Sequence, residues 1–256
     1  MKPIAFLLLA FFLATISAAD GQDANYWISQ TQSDYNNGSY SLALQDIDEY
    51  LDLNSSDTWA WSFKANILRI MRRYSEAVDS FDELIKLDGS NAQAYNDRAL
   101  ILSGGMRQHE EALESLETAL QINPQNANYH FNKGMILEEM QRYDEALQAY
   151  GQAAVLNPSL DLAWYRKGWI LASQGSFDES LPLLDKATEI NSKNANAWNT
   201  KGLVLLQLGR PEDAKSCFEK ALALEPNNSE FQNNLEKVKT NVEDEPEKTI
   251  VFAKVQ

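Results

Sequence analysis

The sequence predicts an all-α solenoid of six helix-turn-helix repeats closed by a carboxyl-terminal capping helix. Three observations carry this. A stretch of about thirty-four residues returns six times in phase; small, large apolar and turn-forming residues keep fixed places in each copy; and the array ends in an amphipathic segment. A unit of that length is one supersecondary element that buries its apolar face only against its neighbours. The 256 residues, 44% hydrophobic, would by themselves admit one domain or two. The phasing favours one elongated array without a central core.

Taken in chain order, the first copy is Ala24–Asp57, with Trp27, Thr31, Gly38, Tyr40 and Ala43 in register. Thr58–Asn91 repeats it with Trp61, Ala65, Leu68, Tyr74, Ala77 and Phe81. The third copy, Ala92–Asn126, carries Tyr95, Ala99, Leu102, Ala112, Leu116, Ala119 and Pro124, and its one extra residue is assigned to a Ser103-Gly104-Gly105 turn. Ala127–Leu160 (His130, Gly134, Leu137, Tyr143, Ala146, Tyr150, Ala153, Pro158) and Asp161–Asn194 (Trp164, Gly168, Leu171, Gly175, Phe177, Ser180, Leu184, Ala187) follow. The clearest copy is the sixth, Ala195–Asn228, with Trp198, Gly202, Leu205, Gly209, Ala214, Phe218, Ala221 and Pro226.

Each recurring residue has a physical task. Gly134, Gly168 and Gly202 fall midway along a first helix, and Ala146 and Ala214 in a second, where small side chains let two axes cross closely. Trp164, Trp198, Phe218 and Tyr150 provide the apolar area between helices. Gly175 and Gly209 suit the positive φ that ends a helix. Pro124, Pro158 and Pro226 stop second helices, while Asn91, Asn126, Asn194 and Asn228 suit the N-caps of the helices that follow. Tyr50 and Leu84 stand where later copies have alanine, so curvature is expected to differ over the first two repeats.

The spacing W-x3-G-x2-L, a small residue twelve after the glycine, then an aromatic, an alanine and a proline, resembles the tetratricopeptide repeat in order and period. The resemblance covers residues 24–228 and implies a right-handed superhelix whose concave groove, lined by first helices, binds a protein or peptide. Carried onto this chain, the groove positions are Trp59, Asn66, Arg69, Gln93, Asn96, Leu100, Asn128, Phe131, Met135, Tyr165, Trp169, Asn196, Asn199 and Leu203. Asparagine offers a donor and an acceptor on a short side chain, which matches a peptide backbone. Replacing Asn196 and Asn199 is therefore expected to weaken binding while hardly touching the fold. The family's lysine and arginine clamp for acidic carboxyl termini has Ile28, Ser62 and Asn96 at its lysine places, so that clamp is absent.

Outside the repeats, Lys2 precedes an uncharged run from Ile4 to Ile16 and then Ser17-Ala18-Ala19. This pattern reads as a secretory signal over 1–19, cleaved before Asp20, with 20–23 as a short leader. The alternative is a membrane anchor over 4–16, but thirteen apolar residues fall short of the roughly eighteen to twenty that span a bilayer. The expected location is secreted or cell envelope. At the other end Phe231, Leu235, Val238 and Val242 recur at helical spacing, giving a capping helix over 229–242. The acidic and apolar remainder, 243–256, is read as a flexible tail, the other reading being that Ile250, Val251 and Phe252 dock.

A net charge of −15, one unit more negative once Lys2 is removed, disfavours nucleic acid and anionic membrane surfaces and favours neutral or basic protein partners. Cys217 has no second cysteine to pair with. His109, read as a turn residue beside Glu110 and Glu111, and His130, read as a packing residue, supply no catalytic pair, and Glu138-Glu139 reads as helix surface. No enzyme, cofactor or metal is expected. Asn37, Asn54 and Asn227 open acceptor patterns for glycosylation in turns. The sequence therefore reads as a noncatalytic binding scaffold, with a self-associating or assembly role in the envelope as the alternative.

Overall fold

The computed structural model describes residues 23–241. The export segment 1–19, the leader residues 20–22, Val242 of the expected capping helix and the tail 243–256 lie outside the described residues. Among the described residues every regular element is a helix. Six pairs run in order, α1 (Ala24–Asn36) with α2 (Tyr40–Leu53), α3 (Thr58–Ile70) with α4 (Tyr74–Leu87), α5 (Ala92–Met106) with α6 (His109–Ile122), α7 (Ala127–Glu139) with α8 (Tyr143–Leu156), α9 (Asp161–Ser173) with α10 (Phe177–Ile190), and α11 (Ala195–Gln207) with α12 (Pro211–Leu224). A last helix, α13 (Ser229–Asn241), packs against α12. The architecture is an all-α solenoid.

The described residues fall into two compact units that meet between Ile122 and Asn123. Nothing in a repeat array demands a single core, because each helix pair is satisfied by its immediate neighbours. In the first unit the members of each pair pack together, and α2 packs on α3 and α4 on α5. In the second unit α8 packs on α9, α10 on α11 and α12 on α13 in the same way.

Within a pair the crossing is as close as the sequence implies. A Cβ on Gly134 would lie 2.7 Å from the Tyr150 ring, and one on Gly202 would lie 2.6 Å from the Phe218 ring. At Gly168 the facing residue is Leu184, at 3.0 Å, and the Ser180 hydroxyl donates to the Gly168 carbonyl at 2.7 Å. Tyr150 and Phe218 are completely buried as a result. Bulk at Tyr50 and Leu84 is accommodated differently. Leu84 is buried, and the Tyr50 hydroxyl donates to Asp57 Oδ2 at 2.6 Å.

The starts and ends of the first helices follow local chemistry. Asn91, Asn126, Asn194 and Asn228 each accept backbone N–H groups of the first turn that follows them, as do Asp23 and Asp57. This satisfies donors that a helix start otherwise leaves orphaned. Leu160 precedes α9 without a side-chain cap, and Asp161 instead accepts from the amides of Asn191 and Asn194 at 2.9 and 3.2 Å.

Every first helix ends on one residue in the left-handed region: Gly38, Arg72, Arg107, Gln141, Gly175 and Gly209. Three of these positions are therefore held by residues with a Cβ, which the glycine pattern does not reveal. In five repeats the next N–H returns to the carbonyl five residues back, as from Arg73 to Leu68 and from Arg142 to Leu137. The extra residue of the third repeat does not form a turn. Ser103, Gly104 and Gly105 are helical, α5 has 15 residues where the other first helices have 13, and the return bond runs from Gln108 to Leu102, six residues back. The helix takes up the insertion because the inserted residue can still hydrogen-bond along it.

A side chain with a Cβ costs about 1–2 kcal/mol in the left-handed region, offset in part by the roughly 0.5–1 kcal/mol of chain entropy that glycine loses. Arg72→Gly, Arg107→Gly and Gln141→Gly are each expected to stabilise by about 0.5–1 kcal/mol in urea unfolding. Gly175→Ala is expected to lose a similar amount.

Asp34 on α1 and Asp46 on α2 form a carboxylate pair. Burial first, and then hydrogen bonding with and repulsion from Asp34, raise Asp46 from 3.8 to about 6. Two ionised carboxylates cannot hydrogen-bond each other, and Asp46 Oδ2 has no donor, so a proton held between the groups resolves both. With the folded value above the unfolded one, the folded chain takes the proton first. The contribution of this pair to stability is lost as pH rises through about 6 and becomes more favourable as pH falls from 6 toward 4. Asp46→Asn should raise the melting temperature at pH 8, with the gain vanishing at pH 4.

Candidate functional site

In the first unit, first helices α3 and α5 and second helix α4 line an open cavity of about 410 Å³. Asn66, Arg69, Tyr74, Phe81, Asp97, Leu100, Ile101, Gly104 and Gly105 line it. Gly105 permits this arrangement, since a Cβ there would strike the Tyr74 ring at 2.7 Å, and Gly104 leaves open space beside it. The walls are apolar through Phe81, Leu100 and Ile101. The polar groups are Asn66, whose amide donates to the Ser62 carbonyl at 3.0 Å, Arg69, which donates to Asn66 Oδ1 at 3.4 Å, and Asp97.

Asp97 is the residue that sequence reasoning passed over. Its Oδ1 accepts from Gln93 Nε2 at 2.7 Å and from Asn96 Nδ2 at 2.9 Å. Burial raises its pKa above the usual carboxylate value, against the opposing pull of those two donors and of Arg69. Asn96, expected to meet a partner's backbone, is instead 4% exposed and turns its amide to Asp97. The signal that could have found Asp97 is local: a carboxylate directly after Asn96 and one helical turn after Gln93. Trp59 belongs to the same helix face as Asn66. It is 43% exposed and stacks on Phe63 at 5.0 Å, and Phe63 in turn meets Tyr35 at 5.0 Å.

The second unit treats the equivalent positions in another way. Asn128 and Asn196 are exposed, and Phe131 and Met135 are half-buried, Phe131 lying 5.4 Å from Tyr150. Tyr165, Trp169, Asn199 and Leu203 are buried. For Tyr165 burial raises the hydroxyl pKa, with Thr200 nearby pulling the other way. Asn199 overturns the expectation that it faces a ligand. Its Nδ2 donates to Glu230 Oε1 at 3.1 Å and its Oδ1 accepts from Asn234 Nδ2 at 2.9 Å, so it fastens α13 to α11. The side chains of α13 reach back along the first-helix face because Phe231, Leu235 and Val238 are buried beside α12. Spacing places Asn199 on the correct face but does not show that the terminal helix already holds it.

Two further expectations are corrected. Glu138 is not free helix surface: its Oε2 accepts from the Tyr150 hydroxyl at 2.7 Å and its Oε1 from Arg166 Nη1 at 3.2 Å, tying α7, α8 and α9 together. Burial, and then the Glu138 charge, hold the Tyr150 hydroxyl in its protonated form. His109 is the first residue of α6 and not a turn residue, its Nδ1 3.0 Å from Ser103 Oγ. His130 Nε2 lies 3.0 Å from the Pro124 carbonyl, where Trp164 and Trp198 place their indole N–H on Pro158 and Ser192. Cys217 is buried, which pushes its thiol pKa up. Asn37 and Asn54 stand at the ends of α1 and α2, and Asn227 in the turn before α13.

Removing Asn199 strands the buried amide of Asn234 and frees the exposed Glu230, whereas no such bond is made by the exposed Asn196. Asn199→Ala is expected to cost about 1–3 kcal/mol in chemical denaturation, and Asn196→Ala to stay within about 0.5 kcal/mol of the wild type.

Tetratricopeptide repeat families match the sequence at residues 60–91, at 104–161 and 139–195, and at 195–228. No curated protein matches it. Solved structures share the fold at low identity. Pseudomonas aeruginosa pilF aligns with a TM-score of 0.69 and 17% identity over 84% of this chain and 97% of its own. PilW, described as a widely conserved type IV pilus biogenesis factor, aligns at 0.68 and 17% over 84% of this chain and 99% of its own. YrrB, described as a TPR protein with an unusual peptide-binding site, aligns at 0.60 and 23% over 74% of this chain and 97% of its own. With family matches spanning more than half of its length, the chain belongs to the tetratricopeptide repeat family.

Proposed function

We propose that this protein is a noncatalytic scaffold that binds a protein or peptide outside the cytoplasm, with the first-helix face of its first unit as the binding groove. The observation that carries the reading is the contrast between the units. In the first unit the groove positions Asn66, Arg69 and Leu100 line an open cavity, and Trp59, on the same helix face as Asn66, leaves its ring exposed. In the second unit several equivalents are closed off by packing and by α13. An exposed aromatic and apolar walls on one helix face offer binding area at small entropic cost. The family and the peptide-binding relative YrrB support an interaction role. The extracytoplasmic part rests on Lys2, the run Ile4–Ile16 and Ser17-Ala18-Ala19.

A second reading, assembly of an envelope structure through self-association, is favoured by the resemblance to pilF and PilW and by apolar side chains left exposed on the first repeat, Tyr26 and Leu42 among them. The two readings separate experimentally. A partner recovered by crosslinked pull-down from the native host is titrated against wild type, Trp59→Ala with Leu100→Ala, and Tyr26→Ser with Leu42→Ser. The groove reading expects about a tenfold or greater loss of affinity for the first pair only. Unchanged affinity there, with loss of oligomerisation in the second pair, puts the assembly reading ahead. Intact mass of the native protein tests export, the expected amino terminus being Asp20.

A further inference from the structure

We propose that Asp97 is the receptor for a cationic side chain, lysine or arginine, of the segment bound in the first unit's groove, and so selects the partner; this rests on the groove reading above. A carboxylate accepts about four hydrogen bonds. Asp97 Oδ1 takes two, from Gln93 and Asn96, and among the described residues Oδ2 takes none and no lysine or arginine forms an ion pair with the group. Some carboxylates near first helices hold a cation, Asp82 and Glu111 sharing Arg98 at 2.7 and 2.8 Å and Glu138 holding Arg166 at 3.2 Å, whereas Asp161, like Asp97, is held by amides. Asp97 is the carboxylate among the described residues lining this cavity, and Arg69 acts on it through its charge without an ion pair.

The cavity fits the missing group. Phe81, Leu100 and Ile101 form apolar walls suited to the methylene stem of a lysine or arginine, whose charged head would reach the carboxylate at the end. Gly104 keeps space open, since a Cβ there would meet nothing within 4 Å. Burial already penalises the ionised carboxyl, and an incoming cation relieves that penalty. The net charge of −15 attracts such a partner from a distance. Arg69 lines the same cavity and its charge favours the ionised Asp97, but its guanidinium hydrogen-bonds Asn66 and makes no ion pair with the carboxylate, so it both competes with an incoming cation and leaves Oδ2 open to it.

The test uses the purified full-length chain and a positional library of fluorescein-labelled octapeptides, each pool with one fixed residue among randomised ones, read by anisotropy. Pools fixed as Lys or Arg are expected to bind about tenfold more tightly than pools fixed as Glu or Asp. Asp97→Asn, which still accepts from Gln93 and Asn96, should abolish most of that preference. Arg69→Ala should preserve or enlarge it, and as a change to an exposed side chain it keeps the comparison valid if Asp97→Asn melts early. Asp79→Asn, exposed on α4, serves as the charge control. A preference surviving Asp97→Asn, an equal loss in Asp79→Asn, or a preference for acidic pools abolished by Arg69→Ala overturns the assignment while leaving the groove reading intact. Absence of binding by every pool overturns both.

Discussion

The close crossing of two helices inside each repeat is the constraint on which the rest of the structure depends. Where Gly134 or Gly202 faces a ring, no side chain fits between, and Tyr150 or Phe218 lies directly on the opposing backbone. A ring so placed is fully buried, and Phe218 packs both within its own repeat and against Leu235 and Val238 of α13. Small-residue spacing thus sets the interaxial distance, the distance buries the aromatics, and the buried aromatics define the face against which the following pair stacks. Repeat five reaches the same separation by another route, with Leu184 over Gly168 and a serine hydroxyl reaching the glycine carbonyl.

Much of this was legible in the sequence because it depends on spacing. Helix starts follow from Asn91, Asn126, Asn194 and Asn228, helix pairs from glycine and alanine, and the cap from the Phe231, Leu235, Val238 series. The turns were only half legible. Gly175 announces its left-handed conformation, whereas Arg72, Arg107 and Gln141 adopt the same conformation because the return hydrogen bond and the next helix impose it. Position in the repeat would have revealed them where residue type does not.

The site was less legible, for a different reason. Periodicity tells which face a residue occupies but not whether its polar atoms are already satisfied. Asn196 and Asn199 stand three positions apart and look alike in sequence, yet one is exposed and the other sits between Glu230 and Asn234. Glu138 and Glu139 are adjacent and equally acidic, yet only Glu138 turns to Tyr150 and Arg166. Asp97 escapes notice because a carboxylate in so acidic a chain carries little information until its neighbours are known. In each pair the deciding partner lies many residues away along the chain.

The tryptophan that opens each clear repeat does more than fill space. Trp61, Trp164 and Trp198 send an indole N–H to the carbonyl of Ser55, Pro158 and Ser192, six residues earlier, across the turn that joins one repeat to the next. Each indole therefore belongs to a single seam. Because stacked repeats open by fraying at seams before they unfold as a whole, the exchange rate of each indole proton records the integrity of one junction. The protein carries a set of internal gauges, placed by its own repeat period, from which the local order of opening along the stack can be read.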